Sequence, residues 1–77
     1  IVPHQVNQRI IEAAMEQVGL PMDMVFTNIE RYGNTSAASV PIALREALDG
    51  GRLQKGKLVV MPAFGAGMAW GHLLLRW

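Results

Sequence analysis

The chain has no cysteine among its 77 residues, so it can form neither a disulfide nor a thiolate metal site, and it brings no thiol nucleophile of its own. Nor is there an apolar run near the ~18 residues that a membrane-spanning helix needs. An excess of one charge sign is missing too: seven basic and six acidic side chains are scattered along the chain and leave a formal net charge of +1. This is solvated surface charge, without the basic footprint of a nucleic-acid binder. Histidine occurs only at His4 and His72, and no His/Asp/Glu cluster has ligand spacing, so no metal is expected. Ser36 and Ser39 stand in no Gly-x-Ser-x-Gly elbow, which argues against a serine hydrolase.

Apolar residues make up 51% of the chain. Ile1-Val2-Pro3 reads as the tail of a strand, and the opening at Ile1 shows no targeting pattern and reads as a cut. From Gln5, the positions Val6, Ile10, Ile11, Ala14, Met15 and Val18 predict a helix that Gly19 ends. Leu20 to Asp23 reads as a turn and Met24 to Ile29 as a short strand. A second helix is predicted over Ala37 to Leu48, with small side chains in its first half that let another element approach closely. Pro41 must then lie near its first turn or kink it. Lys57 to Phe64 and Met68 to Trp77 read as two strands of an antiparallel hairpin about Gly65-Ala66-Gly67. The order predicts a layered α/β arrangement with too few strands for a full sheet. A unit of this size without disulfide or metal is expected to need a partner chain or a missing half.

Three places invite chemistry. His4 precedes the first helix, where it serves either as a structural hydrogen-bonding residue or as a neutral donor favoured by the helix dipole. Asn34 stands at the entry to the second helix, where its amide either caps the helix or points two donors at a ligand. Two such donors, if they converge, stabilise negative charge on an oxygen. Gly65-Ala66-Gly67 is either a plain turn or a place where backbone approaches a ligand closely; it is no dinucleotide or phosphate-loop fingerprint. His72, in the last strand, is the weaker histidine candidate.

Three segments taken in order are more specific: Val2-Pro3-His4-Gln5-Val6-Asn7, Tyr32-Gly33-Asn34-Thr35-Ser36-Ala37-Ala38-Ser39-Val40-Pro41, and Ala63-Phe64-Gly65-Ala66-Gly67-Met68-Ala69-Trp70-Gly71. Together they resemble the C-terminal signatures of the β-ketoacyl-acyl carrier protein synthase III family, and the similarity covers essentially the whole chain. The resemblance implies a thiolase-like five-layered α/β/α/β/α core, of which residues 1–77 would be part of the C-terminal half, with the small-residue helix buried between the sheets. It implies an acyltransferase that condenses an acyl group from acyl-coenzyme A with malonyl-acyl carrier protein, through a cysteine this chain does not contain. By position, His4 and Asn34 match the catalytic His and Asn, and Phe64, Gly65, Ala66 and Gly67 match the oxyanion-hole turn, with Ala66 where Gly is common. Asn7 matches a position near the pantetheine end of the tunnel and Arg9 one linked to carrier-protein docking. No cofactor is implied, since coenzyme A thioester is a substrate. The parent enzyme is expected to be a cytoplasmic homodimer that includes a missing N-terminal half. Two other readings stay open: a non-catalytic interaction or dimerisation module, and a related condensing enzyme of secondary metabolism or other thiolase-like acyltransferase.

Overall fold

A computed structural model describes all residues, Ile1–Trp77. Its regular elements are helices α1 (Gln8–Val18), α2 (Ile29–Tyr32) and α3 (Ser39–Asp49) and strands β1 (Leu58–Gly65) and β2 (Ala69–Arg76), with 3-10 turns at Met22–Met24 and Ser36–Ala38. The hairpin is as predicted: β1 and β2 pair antiparallel from Leu58↔Arg76 to Gly65↔Ala69.

Residues 1–4 extend the sheet without forming a regular strand. The Val2 N–H donates to the Val60 carbonyl at 2.9 Å and the His4 N–H to the Pro62 carbonyl at 2.8 Å. Donors and acceptors advance in the same direction by two residues, which is a parallel pairing. The return bonds are incomplete because Pro62, in the middle of β1, has no N–H to give. On its other side the same segment accepts from the Phe26 N–H at the Ile1 carbonyl (2.9 Å). The strand predicted over Met24–Ile29 is thus corrected: Met24 closes a 3-10 turn, residues 25–28 connect it to α2 without a regular ladder, and Ile29 begins α2.

Alternation along residues 1–2 divides the apolar side chains between two clusters. Val2 joins Ala43 and Ala47 of α3, Leu53, and Val59 and Met61 of β1. Ile1 packs instead against Ile11 and Met15 of α1 and Val25. Helices α1 and α3 therefore lie on opposite faces of the sheet. The close approach falls mainly on the second half of α3, where Ala43 and Ala47 are 0% and 2% exposed and pack with Val59 and Met61 of β1. In the first half of the predicted helix only Ser39 is buried; Ala37 and Ala38 belong to the 3-10 turn and are exposed, which corrects that expectation. Pro41 falls in the first turn of α3, where its missing N–H has no intrahelical partner to lose. Strand β2 contributes no buried residue, and Trp70, Leu73 and Leu74 are exposed.

Helix α1 starts three residues later than the apolar spacing indicates. Asn7 is its N-cap, with extended backbone and its side-chain oxygen accepting from the Arg9 N–H at 2.9 Å. At the other end Gly19 takes φ 73°, a left-handed conformation open to glycine, and the Leu20 N–H reaches back to the Met15 carbonyl.

Two polar side chains tie the layers together. Gln5 is 1% exposed. Its Nε2 donates to the carbonyls of Pro3 (2.9 Å) and Phe26 (3.2 Å), while its Oε1 accepts from the Asn28 N–H (3.0 Å). Glu46 of α3 receives hydrogen bonds from Asn28 Nδ2, the Arg31 guanidinium and the Tyr32 hydroxyl, and so fastens α2 to α3. The hydrogen bond from Asn28, followed by that from Tyr32, holds the Glu46 carboxyl below its usual range.

Replacing Gln5 with Ala strands two buried backbone groups and one half-buried one, and each buried orphan costs about 1–3 kcal/mol. Urea unfolding of the protein carrying Q5A is expected to lose roughly 3 kcal/mol or more; a change within experimental error would refute the bridging role. Glu46 gives a pH prediction. Its folded-state pKa is depressed, so its contribution is present above the ordinary Glu range of about 4.3 and disappears as pH falls through the lower folded value. Wild type should therefore exceed E46Q in stability at neutral pH, and the two unfolding midpoints should converge in acid.

Candidate active site

His4, Asn34, Phe64, Gly65 and Ala66 line one open cleft of about 500 Å³, together with Val6, Ser36, Ala37, Val40 and Ala63. Three separate stretches of chain meet there: the extended N-terminal segment, the loop into α3, and the end of β1.

The hydrogen bonding of His4 is one-sided. Its backbone N–H is fixed to β1, and its Nδ1 contacts the Ser39 hydroxyl at the start of α3. The ring is half-buried, and Nε2 has no hydrogen-bond partner within the chain. The expectation that His4 stands immediately before the first helix is corrected: that place belongs to Asn7, and His4 is held by β1 and by α3.

Asn34 is anchored in the same manner. Its Oδ1 accepts from the Ser36 N–H at 2.9 Å, an Asx turn. A backbone N–H can only donate, which fixes the orientation of the amide and leaves the Nδ2 with its two protons unused. Asn34 thus shapes the loop that leads into the 3-10 turn at Ser36–Ala38, whose N-cap is Thr35, and it does not cap α3. The bond also supports Ser36, the one non-glycine residue with positive φ, at 54°. A left-handed residue with a side chain costs on the order of 1 kcal/mol.

The turn after β1 closes with the pair Gly65↔Ala69, around Ala66, Gly67 and Met68. Its positive φ, 133°, falls on Gly67 and not on Ala66. An alanine at position 66 is therefore tolerated without backbone strain, which resolves the departure from the more common glycine. Gly67 itself does not line the cleft.

Asn7 and Arg9 lie apart from this group, in a neighbouring hollow with Val6, Gln8, Thr27, Ile29 and Glu30. The Asn7 Oδ1 is used as a helix cap, and the exposed Arg9 guanidinium makes no ion pair in the chain. Val6 lines both hollows, so the two are adjacent. His72 is outside both; it is exposed on β2 and stacks on Trp70, with centroids 6.4 Å apart. Sequence reasoning missed Ser39 and Gln5 as supports of the site. A serine among small helical residues and a glutamine after a histidine carry no local signal of such roles.

Relatives share this arrangement of elements. β-Ketoacyl-[acyl-carrier-protein] synthase III of Symbiobacterium thermophilum is 56% identical over all 77 residues, which correspond to 23% of that protein. The same enzyme of Aquifex aeolicus is 52% identical over 77 residues and 25% of its length. The crystal structure of 3-oxoacyl-[acyl-carrier-protein] synthase III from Aquifex aeolicus superposes with a TM-score of 0.95 over 97% of this chain and 24% of that one. A more distant structure, an OleA variant from Xanthomonas campestris, is 32% identical with a TM-score of 0.91, over 99% of this chain and 23% of that one. These neighbours place the α/β unit within the thiolase-like fold, and the chain spans about a quarter of the length of the curated relatives it matches. Residues 1–77 match throughout the family described as 3-oxoacyl-[acyl-carrier-protein (ACP)] synthase III C terminal, and the chain belongs to that family.

Proposed function

We propose that this chain is the part of a β-ketoacyl-[acyl-carrier-protein] synthase III that carries out the condensation half-reaction, with His4 and Asn34 as the hydrogen-bond donors. The observation that carries the reading is the one-sided anchoring in a shared cleft. His4 is tied through Nδ1 and Asn34 through Oδ1, so each keeps free nitrogen on a wall of the same hollow.

In this reading malonyl thioester enters the cleft with its thioester oxygen near the two donors. The bond to the carboxylate carbon breaks, carbon dioxide leaves, and the electron pair is taken up as an enolate whose oxygen accepts hydrogen bonds from His4 and Asn34. The enolate carbon then attacks the carbonyl of an acyl-cysteine, forming the new carbon-carbon bond. The tetrahedral oxyanion collapses and expels the thiolate. The turn Phe64–Gly67 offers its backbone N–H groups to that second oxyanion. The cysteine lies outside residues 1–77, so the chain on its own is expected to be inactive.

The remaining expectations follow from the same reading. The substrates are an acyl-coenzyme A and a malonyl group on acyl carrier protein, with no cofactor, and the product starts a fatty acid. Asn7 and Arg9 flank the cleft where the pantetheine arm and the acidic carrier protein would approach, the guanidinium being suited to phosphate or carboxylate. The whole enzyme would be a cytoplasmic homodimer.

The test uses a full-length subunit in which this chain replaces the matching part of the Aquifex aeolicus relative. Removing one oxyanion donor costs about 100- to 1,000-fold in kcat. H4A and N34D are each expected to lower malonyl decarboxylation to that extent while leaving acylation of the cysteine by acyl-coenzyme A much less affected. N34D retains the oxygen that accepts from Ser36 but loses the amide donors, so its loss cannot be put down to a collapsed loop. Decarboxylation at the wild-type rate in either variant would end the proposal.

A further inference from the structure

Ser39 is 2% exposed and its side chain meets two groups: the Gln5 N–H, which donates to Oγ at 3.2 Å, and His4 Nδ1. A backbone N–H is always a donor, so the first bond uses Ser39 Oγ as acceptor and leaves its single hydroxyl proton to be placed. The obvious alternative within a helix is a carbonyl one turn back, but the Ser39 hydroxyl makes no such bond, and the Thr35 carbonyl accepts from the Ala38 N–H. His4 Nδ1 is the remaining partner. A buried hydroxyl proton without an acceptor would cost about 1–3 kcal/mol, which favours donation from Ser39 to the ring over the reverse.

We infer that Ser39 is a positioning residue that fixes the tautomer of His4: its hydroxyl occupies Nδ1 as an acceptor and so keeps the ring proton on Nε2. This deepens the reading of His4 as a donor and rests on it. The chain of bonds runs from the Gln5 N–H through Ser39 Oγ to His4 Nδ1. Each link orients the next, because Gln5 and Ser39 are both buried. The same contact sets ring rotation, since Nδ1 must stay on the Ser39 side. Nε2 is then the ring nitrogen available to the cleft, which His4 lines. Partners that fix the tautomer and orientation of a metal-ligating histidine are typically worth about 10- to 100-fold, and an effect of that size is expected here.

The variant-free measurement is the pair of ring 15N shifts of His4 in the full-length subunit, taken in alkaline buffer. A proton resident on Nε2 is expected; a proton resident on Nδ1 overturns the inference by itself. The functional measurement compares S39T with S39V, two side chains of the same shape of which one keeps the hydroxyl. The threonine variant should hold the Nε2–H signature and most of the decarboxylation rate. The valine variant should show mixed tautomers and a kcat about 10- to 100-fold lower, with a smaller change in KM. Equal rates and equal shifts in the two variants would overturn the role of Ser39 even if H4A confirms that His4 is needed, whereas a fully active H4A would remove the underlying reading instead.

Discussion

The buried amide of Gln5 is the point at which the N-terminal segment and the 25–28 segment are held in register. Its two protons and its oxygen are divided among Pro3, Phe26 and Asn28, so the N-terminal segment cannot shift along the 25–28 segment without breaking a bond that water does not replace. On the opposite edge the same segment is locked to β1. Polar groups, more than apolar area, thereby define the alignment in a molecule whose buried apolar residues form two small clusters. The adjacent residue, His4, inherits this fixed backbone.

The cleft shows how such constraint is converted into unused hydrogen-bonding capacity. His4 and Asn34 each spend one heteroatom on the protein and keep another. In Asn34 the spent atom also holds Ser36 in its left-handed conformation, so loop geometry and amide orientation stand or fall together. In His4 it is the start of α3 that receives the ring. Behind Asn34, Glu46 gathers Asn28, Arg31 and Tyr32 and so secures α2, from which the Asn34 loop departs at Gly33. Prepaid orientation of this kind is what oxyanion stabilisation needs, since donors that must first reorient give up much of their advantage.

Much of this was legible in the sequence where local pattern and tertiary role coincide. The hairpin declared itself by two β-rich runs around small residues, and α3 by its alanines and its early proline. The start of α1 was misplaced because Val6 fits the helical apolar spacing, whereas the backbone obeys the Asn7 cap. The Met24–Ile29 segment read as a strand because it is apolar in part, yet it meets a chain segment more than 20 residues away only through side-chain and isolated backbone bonds. The roles of Gln5, Ser39 and Glu46 depend on separations of 21 to 35 residues or on three residues converging from another helix, and no short-range pattern records them. His4 and Asn34 stood out as a pair through the resemblance of their surrounding segments, and the fold puts them on one cleft.

The place of residues 1–4 inside the sheet, with Val2 bonded to Val60, also sets a timetable for the growing polypeptide. Those bonded residues are 58 positions apart, a delay of roughly 3 to 12 s at ribosomal rates of 5–20 residues per second. The segment around Phe26 emerges much earlier and can occupy one flank first. A segment bonded on one side and waiting on the other leaves backbone N–H groups unpaired in the nascent chain until the hairpin arrives to close it.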